Sequence, residues 1–312
     1  MDTGRLLQWL KITVVSGAGG LALVACGSTP TRQLAGDGYD DLYDGKSQVA
    51  YGTELPAESP RRAVERGDDA LAQGDLDRAL FNYIQALEIG GGNAGVLYKI
   101  GAIHAARRNT RLAEIAFRWA LTTDQDHGGA LAGLGVLMLK RKDYTKAREY
   151  LERAVAAVPG QWRAHNALGV LSDLGQDFDA ALAHYERALA SVPGSTMVMN
   201  NIGYSRYLAG DWKGAEDYFR RVLVVDPSYE LAWRNLGLVQ ARQGRYAQAV
   251  EAFERIESLP EAYNDVGYVS MVAGRLDDAQ AFFDQALRLA PSYYETANEN
   301  TQRVRSLRER QL

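Results

Sequence analysis

The sequence predicts an all-α protein, a solenoid of about seven helix–turn–helix repeats with a capping helix at its C-terminal end. Three observations predict it. Gly67, Gly101, Gly135, Gly169, Gly203 and Gly237 are each 34 residues apart, and Gly267 follows after 30. Twelve residues after each glycine comes an alanine: Ala79, Ala113, Ala147, Ala181, Ala215, Ala249 and Ala279. Four further on lie Tyr83, Phe117, Leu151, Tyr185, Phe219, Phe253 and Phe283, and three beyond those Ala86, Ala120, Ala154, Ala188, Val222, Ile256 and Ala286. With glycine at 31 of 312 positions, seven coincidences in register have a chance probability on the order of 10⁻⁷. A composition of 45 alanines and 8 prolines favours helix.

Each repeat reads as a helical hairpin. Met199, Ile202 and Gly203 share one helical face at i, i+3 and i+4, and Ala215, Phe219 and Val222 form a matching stripe after the break at Gly210-Asp211. A glycine inside a helix costs about 1 kcal/mol relative to alanine, so seven of them require a packing reason. The expectation is that glycine lets two helix backbones approach, with the small alanine facing it. Pro159, Pro193, Pro227 and Pro291 each end a second helix, while Gly91 and Gln125 hold that place in the first two repeats. No hairpin can bury its own stripe, so neighbours must stack.

A 34-residue unit with Gly, Ala, aromatic, Ala and Pro at these offsets resembles the tetratricopeptide repeat. The resemblance covers residues 60–293, divided as 60–93, 94–127, 128–161, 162–195, 196–229, 230–259 and 260–293. The sixth repeat is four residues short, about one helical turn, which preserves its buried face. Residues 294–312, with Arg303, Arg305, Arg308 and Arg310, read as the polar cap that a repeat array needs.

The N-terminus reads as an address. Arg5 and Lys11 precede a weakly apolar stretch from Ile12 to Ala25 that contains three glycines. That is too short for a membrane span, which takes about 20 apolar residues, and has the form of a secretory signal over residues 1–25. Leu23-Val24-Ala25-Cys26 resembles the bacterial lipobox, which implies that Cys26, the chain's single cysteine, becomes the acylated first residue. Acyl chains contribute about 0.8 kcal/mol per buried CH₂, so several hold a protein stably in a membrane. Gly27, rather than Asp, after the cysteine implies the outer membrane of a Gram-negative cell, with the protein facing the periplasm. Residues 26–59 show no apolar periodicity. Carrying Asp37, Asp40, Asp41, Asp44, Glu54 and Glu58 against Arg32 and Lys46, they read as a lipidated, flexible acidic tether reaching about 30 Å. Its tyrosines (Tyr39, Tyr43, Tyr51) could form a docking motif, but the composition favours a solvated linker.

Composition also excludes. A formal charge of −4 argues against nucleic-acid binding by phosphate neutralisation. One cysteine rules out an internal disulfide framework and multi-cysteine metal sites. Gly90 to Gly95 spell a formal GxGxxG, but no strand precedes it. His104 and His165 fall on packed helix faces, His127 in a turn and His184 on a second helix, and none pair at i, i+4. Asp277-Asp278 sits at a helix start, where the dipole explains it. No catalytic constellation, metal site, cofactor or small-molecule substrate is predicted, and the chain is not expected to be an enzyme.

The repeat resemblance also implies a groove lined by the first helices. Counting the glycine as eight, its offsets are two, five, nine, twelve and thirteen. The late repeats place Asn200, Tyr204, Tyr207 and Leu208, then Arg234, Leu238 and Arg242, then Asn264, Tyr268, Met271 and Val272 there. Tyrosine and arginine with aliphatics are what peptide hot spots use, and packing against neighbouring repeats is the competing role. If they line a groove, Tyr204→Glu with Tyr268→Glu abolishes partner binding and spares the fold. Asn201 and Asn235 sit where asparagine is structural in the family. The stretches Asn200 to Ser205, Leu208 to Asp211, Trp233 to Leu238 and Asn264 to Tyr268 resemble the lipoprotein of tight-adherence (Flp/Tad) pilus assembly. That implies a non-catalytic scaffold helping a secretin or other pilus components assemble. A type IV pilotin and an adaptor for peptidoglycan hydrolases or proteases share the same plan.

Overall fold

Seven hairpin turns set the architecture, and most of them are built from a cap, while the second helices of the last two begin at Arg245 and Arg275 without a side-chain cap. Asp75, Asn109, Asp177 and Asp211 each accept a hydrogen bond from the backbone N–H three residues on, starting a second helix. The residue before each cap bends the chain at positive φ: glycine at Gly74, Gly210, Gly244 and Gly274, but Arg108, Lys142 and Gln176 in the second, third and fourth hairpins.

A computed structural model describes residues 38–44, 57 and 59–310. Residues 1–25, read as a secretory signal, and Cys26 lie outside the described residues. Among the described residues there are fifteen α-helices and one 3-10 turn, Tyr39–Leu42. None of those helices is long and apolar enough to cross a membrane. The chain divides into two compact units, one ending at Ala157 and one beginning at Val158.

The first unit holds three hairpins: α1 (Pro60–Ala72) with α2 (Leu76–Gly90), α3 (Ala94–Ala106) with α4 (Thr110–Thr123), and α5 (Gly128–Lys140) with α6 (Tyr144–Ala157). The second holds four: α7 (Trp162–Leu174) with α8 (Phe178–Ser191), α9 (Thr196–Leu208) with α10 (Trp212–Val225), α11 (Glu230–Arg242) with α12 (Tyr246–Glu254), and α13 (Leu259–Val272) with α14 (Leu276–Leu289). A last helix, α15 (Glu295–Glu309), packs on α14 and α13.

The repeat glycine has its packing reason, and its nearest neighbour is the large side chain, with the alanine's backbone beside it at Gly135, where a Cβ would lie 3.3 Å from the Ala147 carbonyl. A Cβ built on Gly67, Gly169 or Gly203 would fall 2.5–2.6 Å from Tyr83, Tyr185 or Phe219, and one on Gly135 would meet Leu151 at 2.5 Å. The large side chain sixteen residues on thus lies over the bare backbone, and alanines such as Ala79 and Ala215 are wholly buried in the same seam. Where the ring is tyrosine, an acid of the first helix accepts its hydroxyl: Tyr83 Oη donates to Asp68 at 2.6 Å and Tyr185 Oη to Asp173 at 2.7 Å.

The short sixth repeat takes its deletion from the second helix. α12 has 9 residues against 14 in α10, with Ala249 and Phe253 still buried. Ile256 falls past its end, in the turn before a capping box in which Ser258 N–H donates to Glu261 Oε2 at 2.9 Å.

A further departure concerns part of the acidic segment expected to be a flexible tether, whose residues 26–37, 45–56 and 58 lie outside the described residues. Gly38 to Asp44 is docked on the first unit, with Leu42 fully buried and Ala57 buried against Ala63 and Ala86. Composition alone missed it because one leucine in an acidic run carries no periodicity.

Candidate functional site

The late first helices α9, α11 and α13 stand side by side, each touching the next. The side chains named as groove-lining divide into two sets. Six are buried: Asn200, Tyr204, Tyr207, Leu238, Asn264 and Met271. Leu208, Arg234, Arg242 and Tyr268, with Val272 beside them, are half-buried and reach the surface.

Asparagines form rungs between first helices, and between the last of them and α15. Asn235 Nδ2 donates to Asn200 Oδ1 at 3.0 Å, Asn300 Nδ2 to Asn264 Oδ1 at 3.0 Å, and Asn201 Nδ2 to Asn166 Oδ1 at 2.9 Å. Asn200 and Asn264 therefore tie helices together, a role the sequence assigned only to Asn201 and Asn235. Replacing Asn235 by alanine leaves a buried carbonyl unpaired, so Asn235→Ala is expected to cost about 1–3 kcal/mol, read from a denaturant midpoint.

Tyr204 and Tyr207 are only 8% and 7% exposed and stack with centroids 6.1 Å apart. Burial raises both phenols above their ordinary range, Tyr204 the more strongly. A glutamate at 204 would enter this packed seam, so the Tyr204→Glu and Tyr268→Glu pair does not separate binding from folding. The tyrosines are swallowed because the neighbouring first helix lies against the same face. Beside them Asp173 accepts from Ser205 Oγ at 2.6 Å and from Tyr185, and burial pushes its carboxyl up to about 6 against both hydrogen bonds. Met271 lies in a cluster with Leu276, Phe283 and Val304, on which Tyr268 packs.

Arg234 is the polar centre of the surface. Its side chain, 39% exposed, reaches Glu257 at 3.5 Å and Asp265 at 3.4 Å. Burial, then the neighbouring Asp265 carboxylate, pushes Glu257 up to about 7; burial pushes Asp265 up to about 6, Arg234 opposing both shifts. Tyr294 is raised to about 12 by burial and by this acidic neighbourhood. Arg242 stacks over Trp212 at 5.7 Å, and its carbonyl accepts from Arg275 at 3.2 Å. Sequence reading found Arg234 but not its acids, which come from the turn of the shortened repeat and the next helix.

His165 and His184, 19 residues apart, meet across the α7–α8 hairpin with Nδ1 atoms 3.3 Å apart. His165 Nε2–H donates to the Pro159 carbonyl at 2.9 Å, so its Nδ1 accepts from His184. Ring centroids 5.6 Å apart mean that the two nitrogens point at each other. That is a hydrogen bond, since a metal needs about 2 Å to each nitrogen. Among the described residues no three His, Cys, Asp or Glu are grouped to hold a metal. The GxGxxG stretch is a turn: Gly90 ends α2, Gly91 takes positive φ and Asn93 caps α3.

The geometry is therefore a paired-helix array with a part-polar surface, and comparison with known proteins decides its kind. A tetratricopeptide-repeat model matches residues 98–161, 133–196 and 200–260, and a second matches 260–293. The chain belongs to the tetratricopeptide-repeat family. Such arrays are protein-binding scaffolds, generally without catalysis. No curated protein sequence matches the chain significantly. Among solved tetratricopeptide folds it is similar to a repeat protein from Parabacteroides merdae, at 17% identity over 80% of this chain and 99% of that one, TM-score 0.51. It is also similar to PilF of Pseudomonas aeruginosa, at 19% identity over 69% of this chain and 97% of that one, TM-score 0.52. PilW, described as a widely conserved type IV pilus biogenesis factor, shares 19% identity over 66% of this chain and 97% of its own, TM-score 0.54.

Proposed function

We propose that this protein is a scaffold of the outer membrane, held by acylated Cys26 and facing the periplasm, that helps a pilus or secretion machine assemble. The observation that carries the reading is a tetratricopeptide array preceded in the same chain by Leu23-Val24-Ala25-Cys26. The motifs resembling the tight-adherence lipoprotein support the choice of machine, and similarity of fold to PilF and PilW is consistent with it. The partner is a secretin or pilus component, and the contact surface is Leu208, Arg234, Arg242 and Tyr268 on α9, α11 and α13.

The test is in-cell crosslinking with mass spectrometry on three chains: wild type, Leu208→Lys/Arg242→Glu and Cys26→Ser. Both groove substitutions sit at partly exposed positions, so the fold persists while the surface changes charge. Expected is capture of a secretin or pilus component by wild type, at least tenfold weaker in the groove variant, with Cys26→Ser released from the membrane fraction. Capture of cell-wall hydrolases or proteases instead would overturn the pilus reading in favour of an envelope adaptor.

A further inference from the structure

The surface built by the first two repeats already holds a peptide. Gly38 to Asp44 crosses it, and four kinds of contact fix the segment. Leu42 is 0% exposed. The Leu42 carbonyl accepts from Nε2 of the fully buried His104 at 2.8 Å. Two residues on, the Asp44 carboxylate accepts from Asn109 Nδ2 at 2.7 Å and Arg107 Nη1 at 3.2 Å, with His104 Nδ1 3.4 Å away. Three residues before Leu42, the Tyr39 ring meets Trp119 edge-on at 5.9 Å.

The receiving side chains are themselves held in place. Asn109 caps α4 through its Oδ1, which accepts from Leu112 N–H at 3.3 Å, so its Nδ2 is aimed by the helix start. Arg107 is clamped from the other side by Asp77. The surface is thus braced by the repeats themselves, and it presents an apolar pocket, an imidazole N–H that donates to a backbone carbonyl, a pair of donors for a carboxylate and an aromatic wall. None of His104, Arg107 and Asn109 sits at a groove offset, which in this repeat fall at 95, 98, 102, 105 and 106.

We propose that this surface is a recognition site for short acidic peptides bearing an aromatic residue, an aliphatic residue three positions later and a carboxylate two beyond that. The chain's own Tyr39, Leu42 and Asp44 are its resident, displaceable occupant. Specificity follows from the contacts. Leucine fills the pocket, while His104 reads the backbone and so fixes register without demanding a side chain. Arg107 and Asn109 accept a carboxylate and no cation. Because the occupant is joined covalently to α1, its local concentration is on the order of mM. A partner peptide displaces it only by binding tighter or by being presented at comparable density. This site is independent of the late-repeat surface, so either can fail without the other.

The test is anisotropy of a labelled peptide with the sequence of residues 38–44 on the full chain. Wild type, Leu42→Asp and Leu42→Asp/Arg107→Ala are compared, with helicity checked by circular dichroism. Leu42→Asp empties the pocket in cis and is expected to bind the peptide at least tenfold tighter than wild type. Adding Arg107→Ala is expected to weaken that binding at least tenfold. If Leu42→Asp lowers helicity, Tyr39→Ala/Asp44→Ala takes its place, since neither side chain is fully buried. No binding to a folded undocked chain would overturn the proposal and leave the segment as part of the fold. Equal binding to wild type and the undocked variant would overturn it by placing the peptide elsewhere.

Discussion

Gly203→Leu is expected to unfold the second unit locally around α9 and α10, costing more than about 3 kcal/mol. The reason is geometric. A Cβ alone at this position would lie 2.6 Å from Phe219 Cε1, and Phe219 is wholly buried, so the ring has nowhere to go. Gly203→Ala meets the same ring with one carbon and gains about 1 kcal/mol of helix propensity, so its net cost is smaller. Gly203→Ala combined with Phe219→Leu is expected to cost less than the sum of the two singles, because the smaller side chain clears the added methyl. Gly194→Ala is the control, since a Cβ there would have nothing within 4 Å and its φ is ordinary. Amide exchange is the measurement: protection lost in α9, α10 and their neighbours, as expected of nearest-neighbour stability in a repeat array. Unchanged protection in Gly203→Leu would show that the ring over the glycine is not what closes the hairpin.

Glu257→Gln with Asp265→Asn is expected to stabilise the second unit at pH 8, by at most about 6 kcal/mol. Both carboxyls are mostly buried and share one partly exposed arginine. The sign follows from proton binding. Unfolded carboxyls titrate near 4, whereas the folded ones titrate near 7 and 6. Between those values the native state holds protons that the unfolded state has released, so stability falls as pH rises. The contribution is full below about pH 4 and lost as pH climbs through 6 and 7. The neutral double variant flattens that slope, leaving the part due to Asp173, which titrates near 6 in the same window. Arg234→Ala works in the opposite direction, removing the one cation that offsets the pair. Denaturant midpoints from pH 4.5 to 8.5 provide the check. An unaltered slope in the double variant would mean that these acids are solvated rather than desolvated.

Much of the architecture is legible in particular residues. The glycine at eight, the alanine at twenty and the bulky residue at twenty-four repeat because each hairpin must solve the same packing problem locally, within one repeat unit. Proline after the second helix and Asp or Asn at the hairpin turn are equally local signals, and they locate the helix ends. The shortened sixth repeat is visible as a spacing, although its cost to α12 alone is not, since a missing turn can be taken from either helix.

What the sequence by itself determined is therefore the unit, its register and the faces that must be buried. The tertiary structure alone decided the fate of polar side chains on those faces: Tyr204 and Tyr207 drawn into the seam, Asn200 and Asn264 spent on rungs between helices, His165 joined to His184, Arg234 ringed by Glu257 and Asp265, and Leu42 docked beside His104. The hydrogen bonds and ion pairs among these join residues far apart in the chain, 19 apart for His165 and His184 and 62 for Leu42 and His104. Periodicity describes what one helix presents, whereas burial depends on how closely another element approaches it.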